Sequence, residues 1–201
     1  MFADVTRQSG DGRWAMQPWA AVVAIVVGLG AGCASSDPGV NGLASAKAAI
    51  GTLKMQLKQK LQMAMAEGPD KALEVCAVEA QAIRAKVSHE SGVALGRSSL
   101  RPRTPADAAP DWVKAWLDEQ GERKVAGVVG FSRVDETPSG KVARVLEPIG
   151  IEKGCLGCHG PADAITPGVR DLLAKRYPTD AAIGYAEGDL RGAFWAELPI
   201  R

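Results

Sequence analysis

Two cysteines and a histidine lie within one five-residue stretch of the chain, Cys155-Leu156-Gly157-Cys158-His159. A Cys-x-x-Cys-His sequence is the attachment motif of c-type haem. Two intervening residues let both thiols reach the porphyrin vinyl groups from a single turn, and the adjacent histidine can donate a ring nitrogen to the iron. The motif occurs once. We therefore expect one covalent haem, attached to Cys155 and Cys158, with His159 as the proximal iron ligand.

Cys-x-x-Cys also occurs in two other classes of protein, zinc sites and thioredoxin-like redox proteins. A zinc site normally has a second ligand pair of similar spacing, and this sequence offers none. A thioredoxin-like pair opens a helix after a strand in a reducing compartment, whereas the N-terminal residues of this chain predict export. Covalent haem is the favoured interpretation.

The motif does not determine the second axial ligand of the iron. His89 is the only other histidine, but its polar neighbours at a predicted helix end are typical of a solvated side chain. Cys76 falls on the apolar face of a predicted helix, where a small buried core residue is the simplest assignment. Met63 and Met65 are further candidates, because methionine is a common second ligand in electron-transfer haem proteins.

Three arginines, Arg97, Arg101 and Arg103, lie in a Gly-, Pro- and Ser-rich segment, residues 92–110. A guanidinium can bind a carboxylate through two parallel hydrogen bonds, so these side chains are candidate partners of the haem propionates. Arg97 is the first candidate. A solvated basic loop explains any one of them equally well.

The N-terminus predicts export. An apolar run at residues 20–29 follows two arginines and is too short for a comfortable membrane span. The small residues before Cys33 resemble a bacterial lipoprotein box, which favours lipidation of Cys33 over ordinary cleavage nearby or an uncleaved anchor. We expect a signal peptide at 1–32, a flexible tether at 33–43 and one haem domain at 44–201. The protein would be a membrane-anchored lipoprotein in the periplasm of a Gram-negative bacterium.

Composition and charge limit the possible functions. The 201 residues are 46% hydrophobic, which is enough for one buried core. The formal net charge of +1 gives no basic surface for nucleic acid.

Hydrophobic periodicity predicts an α+β domain in which N-terminal helices precede a mixed region. In the first helix Met65 falls on the apolar stripe, and Asp70 is a plausible cap of the second helix. The predicted helices are 44–67, 71–87, 110–120 and one starting at Thr166-Pro167; the predicted strands are 123–133, 142–149, 190–198 and a short strand early in 92–110.

Four segments in this order resemble a family of exported c-type haem domains with a PAS-like fold, long catalogued as a domain of unknown function and best described in cyanobacteria. The segments are ALEVC, GVALGRSSLRPRTPADAAPDWV, PIGIEKGCLGCHG and GYAEGDLRGAF. The resemblance extends from about Ala44 to Leu198. It implies a PAS-like antiparallel sheet with N-terminal helices and one haem, ligated by His159 and by a cysteine that matches Cys76. Where the family usually has Asn-Pro, this chain has Arg103-Thr104-Pro105.

With Cys76 assigned to the iron by this resemblance, each cysteine has a separate task. Cys33 carries lipid, Cys155 and Cys158 carry the haem, and no disulfide remains. A thiolate ligand donates charge and lowers the reduction potential of the iron.

PAS-like folds commonly sense, and family members occur attached to signalling domains. We therefore expect a redox or gas sensing module that acts through a separate redox or signalling partner protein. The first alternative is an electron-transfer cytochrome, although the near-neutral charge gives little electrostatic steering. The second is a peroxidase-like enzyme, which needs an open iron position and a distal acid-base residue. His89 is the only histidine available for that role, and its Ser-His-Glu setting gives no sign that it lines a pocket. We therefore rank an enzyme last and expect no enzymatic activity.

Overall fold

The structure is a computed structural model that describes residues 37–201. Cys33 and the predicted signal peptide lie outside the described residues, and their assignments stay predictions. The helices and strands are α1 (Pro38–Glu67), α2 (Pro69–Glu74), a π-helical turn (Val75–Glu79), α3 (Ala80–Ser91), β1 (Ala94–Ser98), a 3-10 turn (Pro105–Asp107), α4 (Asp111–Gln120), β2 (Phe131–Thr137), β3 (Gly140–Gly150), a 3-10 turn (Lys153–Cys155), α5 (Leu156–His159), α6 (Pro167–Arg176) and β4 (Leu190–Pro199).

The four strands form one antiparallel sheet in the order β1-β4-β3-β2. β2 and β3 are joined by the predicted turn over Pro138-Ser139-Gly140, where Gly140 has a φ of 116°. The α+β class with an antiparallel sheet is therefore confirmed.

Each face of the sheet is covered by helices, because successive strand side chains point to opposite faces. Val145 and Ala196 pack in a cluster with α1 and α3. Their neighbours Leu146 and Trp195 pack on the other face, against α4. A third apolar cluster joins α2 to α6 through Leu73 and lies beside the haem motif; it consists of Leu73, Ile165, Val169, Leu173 and Tyr177.

The first helix is longer than predicted. α1 begins at Pro38, and the carboxylate of Asp37 accepts a hydrogen bond from the Gly39 N–H at 2.7 Å as its N-cap. Asp followed by Pro is a helix-start signal, so residues 38–43 are helical rather than part of a flexible tether. Met65 is 52% exposed, and Ala64 occupies the buried stripe in its place.

Two other predicted boundaries are wrong. The second helix starts with Gly68 as N-cap and Pro69 in its first turn, so Asp70 lies inside the helix rather than capping it. The predicted strand 123–133 is a strand only from Phe131 onward. Before Phe131 the chain is irregular, and Val125 and Val128 pack from this segment against the α4 cluster, whereas Val129 is exposed.

No helix within residues 37–201 is both long enough and apolar enough to cross a bilayer.

The contact between α1 and the sheet gives a direct test of this core. Leu53 is fully buried in α1, and Met55 on the same helix is 62% exposed. We expect Leu53→Ala to lower the free energy of unfolding by about 2–5 kcal/mol, because it removes buried methylenes and leaves a cavity. Met55→Ala should change it by less than about 0.5 kcal/mol. Urea unfolding of both variants checks this, and equal effects would contradict the described burial.

Candidate haem-binding site

The Cys-x-x-Cys-His motif forms one compact helical turn directly after the sheet. The chain leaves β3, and the N–H of Ile151 donates to the carbonyl of Asp189 at 2.9 Å. The 3-10 turn then continues into α5, which places Cys155 and Cys158 three residues apart within one helical turn. Residues at that spacing share one helix face. Both thiols are free and half-buried, so one turn presents them in the same direction.

His159 is held in one tautomer. Its Nδ1 lies 2.7 Å from the carbonyl oxygen of Ala182. A carbonyl only accepts, so Nδ1 carries the proton and donates it, which leaves the lone pair on Nε2. Among the residues that the structure describes, Nε2 has no hydrogen-bond partner. A neutral imidazole fixed through Nδ1 is the form that binds a metal through Nε2.

The surroundings of His159 keep its ring uncharged. Burial, reinforced by the positive charges of Arg103 and Arg191, lowers the pKa of His159 to about 3. No proton has to leave the ring at physiological pH before Nε2 can bind iron.

Arg103 fixes the backbone of the motif. Its Nη2 donates to the carbonyl of Cys158 at 2.6 Å and lies 3.3 Å from Nδ1 of His159. Because that nitrogen already donates to Ala182, the approach of Arg103 is a contact between two donors rather than a hydrogen bond. Nη2 also donates to the Ala182 carbonyl at 3.3 Å, so one guanidinium holds both sides of the histidine.

Asp180 neutralises Arg103 inside the protein. The ion pair joins Nε of Arg103 to Oδ2 of Asp180 at 3.1 Å, with side chains only 7% and 10% exposed. The second carboxylate oxygen accepts from the Ala182 N–H at 2.8 Å and from Nε at 3.2 Å. Asp180 thus positions the same residue whose carbonyl orients His159. We call Arg103, Asp180 and Ala182 the positioning network.

The backbone beyond Ala182 also pairs with the end of the motif. The N–H of Gly184 donates to Gly160 at 2.8 Å, and the N–H of Tyr185 donates to the carbonyl of His159 at 2.9 Å. Gly184 has a φ of 78°, in the left-handed region that favours glycine. The Tyr185 ring then packs edge-on against His159, with centroids 6.3 Å apart.

Cys76 lies in the π-helical turn between α2 and α3, where the Ala80 N–H donates to the Val75 carbonyl. The 3.6-residue periodicity of the sequence gives no sign of this insertion, and π turns occur frequently at functional sites. Cys76 is half-buried and is absent from the three apolar clusters of the described residues, whereas Leu73 and Ala80 belong to them.

The Cys76 thiol interacts electrostatically with the motif and with two arginines. Burial raises the pKa of Cys76, while the charges of Arg97 and Arg103 oppose that rise. Cys76 in turn raises the pKa of Cys158, after the larger effect of burial there. Ala77, the neighbour of Cys76, packs in the same apolar cluster as Cys158, so the π-helical turn lies close to the motif.

The other candidate ligands lie on the surface. His89 is exposed in the last turn of α3. Met63 and Met65 are 59% and 52% exposed on α1. Of the four candidates for the second ligand, Cys76 is the one that affects the pKa of a motif residue, Cys158.

The predicted arginines divide into two kinds. Arg101 pairs with Glu122 at 3.4 Å and stacks on Tyr185 at 3.8 Å, and Arg103 pairs with Asp180. Arg97, in β1, has no carboxylate within ion-pair distance among the described residues. Sequence reasoning missed Arg191, although it lies within the family-like segment GYAEGDLRGAF.

The donor set fits a c-type haem. One helical turn carries two free thiols and an imidazole with an available Nε2. A further half-buried thiol, Cys76, lies in the turn whose Ala77 packs in the same cluster as Cys158. Within residues 37–201, no three side chains of His, Cys, Asp or Glu are arranged to hold a metal ion by themselves.

The fold and the site together define a class of protein, a PAS-like α+β domain with a Cys-x-x-Cys-His turn beside an antiparallel sheet. The model of the Tll0287-like family matches residues 39–199, so the chain belongs to this family. The crystal structure of the cyanobacterial heme-protein Tll0287 matches with a TM-score of 0.55 at 18% identity, over 74% of this chain and 91% of that chain. No curated protein matches the chain significantly. The family and the fold predicted from the sequence are confirmed.

The positioning network predicts a large effect of removing its cation. Arg103→Gln leaves Asp180 buried and unpaired, so we expect the free energy of unfolding to fall by about 3–5 kcal/mol. Lys114→Gln is the matched control, because its ion pair with Asp118 is exposed and exposed helical pairs contribute about 0.5 kcal/mol or less. Urea unfolding measures both variants. Equal small effects would show that the buried pair does not stabilise the fold.

Proposed function

We propose that the chain is a haem-binding protein with one covalent c-type haem, linked through Cys155 and Cys158. The observation that carries this proposal is His159, whose Nδ1 is bound to Ala182 so that Nε2 is available beside the two thiols. Membership of the Tll0287-like family supports it, as does the likeness to a solved structure titled a heme-protein.

His159 is then the proximal iron ligand and Cys76 the second. His159 comes from the motif, whereas Cys76 comes from the π-helical turn of the helical layer. Burial raises the pKa of the Cys76 thiol, so the free thiol keeps its proton, which is released when the sulfur binds a metal. Arg97 and Arg103 favour the resulting thiolate.

We further propose that the domain senses a redox change or a gaseous ligand and passes the signal to a separate partner protein. Bound haem supplies an iron whose coordination changes with oxidation state or with an added ligand. The support from this chain is the position of Cys76 in a π-helical turn. This geometry is uncommon, and the turn could convert to a regular α-helix. Release of Cys76 would free that turn to rearrange between α2 and α3.

The proposed location rests on the N-terminal sequence. The apolar run and the small residues before Cys33 support export and lipid anchoring in the periplasm. Export agrees with covalent haem, because c-type haem is attached outside the cytoplasm.

Covalent attachment has a simple test in exported, purified protein. The intact mass should exceed that of the polypeptide by one haem, and the haem should remain with the chain after denaturation. Cys155→Ala with Cys158→Ala should release all haem on denaturation, because both thioether links are gone. Cys76→Ala is the matched cysteine control and should keep its covalent haem. Extractable haem in the wild type would refute covalent attachment.

Optical and EPR spectra test the second ligand. The ferric wild type should give a low-spin thiolate signal, and Cys76→Ala should lose it because the sulfur ligand is removed. His89→Ala serves as the control, since His89 is exposed at the end of α3 and its removal should leave the signal unchanged. Spectra identical in wild type and Cys76→Ala would make Cys76 a non-ligand.

The same samples distinguish the functions. A reduced wild type that binds CO or NO readily supports sensing. A reduced form that stays six-coordinate and excludes both gases supports electron transfer instead.

A further inference from the structure

We propose that Arg97 and Arg191 bind the two propionate carboxylates of the haem. This inference rests on the proposed function and identifies the residues that recognise the charged edge of the cofactor. The sequence offered Arg97, Arg101 and Arg103 as equivalent candidates and did not point to Arg191.

Arg97 and Arg191 lie at the same end of the sheet. β1 and β4 are antiparallel neighbours, so Arg97, near the end of β1, lies close to Arg191, near the start of β4. The Tyr185 ring contacts both the Arg191 guanidinium and the His159 ring. Gly192, next to Arg191, lies against the backbone of Ser98, next to Arg97. Both arginines therefore lie at the end of the sheet beside the proposed proximal histidine.

The charge balance separates these two arginines from their neighbours. Arg103 is neutralised by Asp180, and Arg101 pairs with Glu122. Within residues 37–201, the guanidiniums of Arg97 and Arg191 have no carboxylate within ion-pair distance and no hydrogen bond to another residue.

Arg191 is in an unfavourable setting for a cation. Burial lowers the pKa of Arg191, and the charges of Arg103 and Arg97 lower it further. Its ring contact with Tyr185, at 5.4 Å from the centroid, offsets only part of this cost. The charge of Asp107 opposes this lowering, but no described carboxylate forms an ion pair with Arg191, so a bound anion would stabilise it.

A cavity of about 350 Å³ adjoins Arg191 and Tyr185 and bears on Arg191 alone, since neither Arg97 nor the proposed iron ligands line it. Arg191 lines this cavity together with other basic side chains. Arg101 and Lys124 are paired with carboxylates there, and Arg123 donates to carbonyls at the end of α4. Of the cations in the described lining, Arg191 is the one held by neither a carboxylate nor a carbonyl.

The haem supplies what this arrangement lacks. It carries two carboxylates, and each guanidinium can bind one with two parallel hydrogen bonds. The number of carboxylates equals the number of unpaired arginines at this end of the sheet. A free carboxylate or phosphate from solution has the same chemistry and is the competing occupant.

The test uses the haem-loaded full chain and its Arg97→Gln, Arg191→Gln and Arg191→Lys variants. Redox-difference infrared spectra, with haem labelled with ¹³C in the propionates, report the carboxylates directly. We expect Arg97→Gln and Arg191→Gln each to shift a propionate band and to lower the reduction potential, because a cation beside the ferrous haem is lost. Arg191→Lys should leave the reduction potential close to that of the wild type but shift the propionate band. Lysine keeps the positive charge but cannot form two parallel hydrogen bonds to one carboxylate.

Arg133→Gln is the control. Arg133 lies on β2 at the opposite edge of the sheet and pairs with Asp135, so the same change of net charge should leave the labelled bands and the potential unchanged. The inference would be overturned if neither Arg97→Gln nor Arg191→Gln shifted a labelled propionate band. It would also be overturned if inorganic phosphate or acetate shifted the wild-type spectrum and Arg191→Gln abolished that response.

Haem content distinguishes this failure from failure of the proposed function. A wild type without haem would refute the haem-binding proposal itself. A haem-loaded wild type with propionates insensitive to both arginines would refute only the assignment of Arg97 and Arg191.

Discussion

The hydrogen bond from His159 to the carbonyl of Ala182 determines what the site can bind. It fixes the proton on Nδ1 and so directs the lone pair of Nε2 toward a ligand. That carbonyl is itself held in place, because Asp180 accepts from the Ala182 N–H and is held by Arg103. A buried ion pair gives little net stability when compared with apolar residues of the same size. Its contribution here is to fix the geometry of one imidazole.

The electrostatics of the site follow from an excess of cations over carboxylates. Arg97, Arg103 and Arg191 all act on His159 and, with burial, keep it neutral. The same cations disfavour a second positive charge and favour anionic groups. A thiolate at Cys76 and two carboxylates on the cofactor both meet that requirement. With the proposed haem and Cys76 ligation, the domain would be closer to charge balance than the polypeptide alone.

The sequence predicted the local parts of the site and missed the parts assembled over long distances. Cys155, Cys158 and His159 are contiguous, so their spacing alone specifies one turn. Asp180 and Arg191 lie far along the chain from Arg103 and Arg97, and only the tertiary fold brings these pairs together. The fold, too, was predicted where its signals are local.

The α+β class and the antiparallel sheet follow from periodicity and turn residues, which are local signals. The apolar segment before Phe131 and the π-helical turn escaped prediction for a different reason. An apolar residue can be buried from an irregular segment as well as from a strand, and one inserted residue barely alters the helical period. Neither departure leaves a distinctive composition in the sequence.

The origins of the two proposed iron ligands explain how a change at the iron could reach the rest of the molecule. His159 is fixed by the positioning network, whereas Cys76 lies in a π-helical turn that is continuous with α2 and α3. Of the two, the histidine is restrained by hydrogen bonds on its ring and backbone. A change in ligation would therefore be expressed on the Cys76 side. That side leads through Leu73 to α6 and through Ala80 to the core beneath the sheet, so both apolar layers adjoin the element that would move.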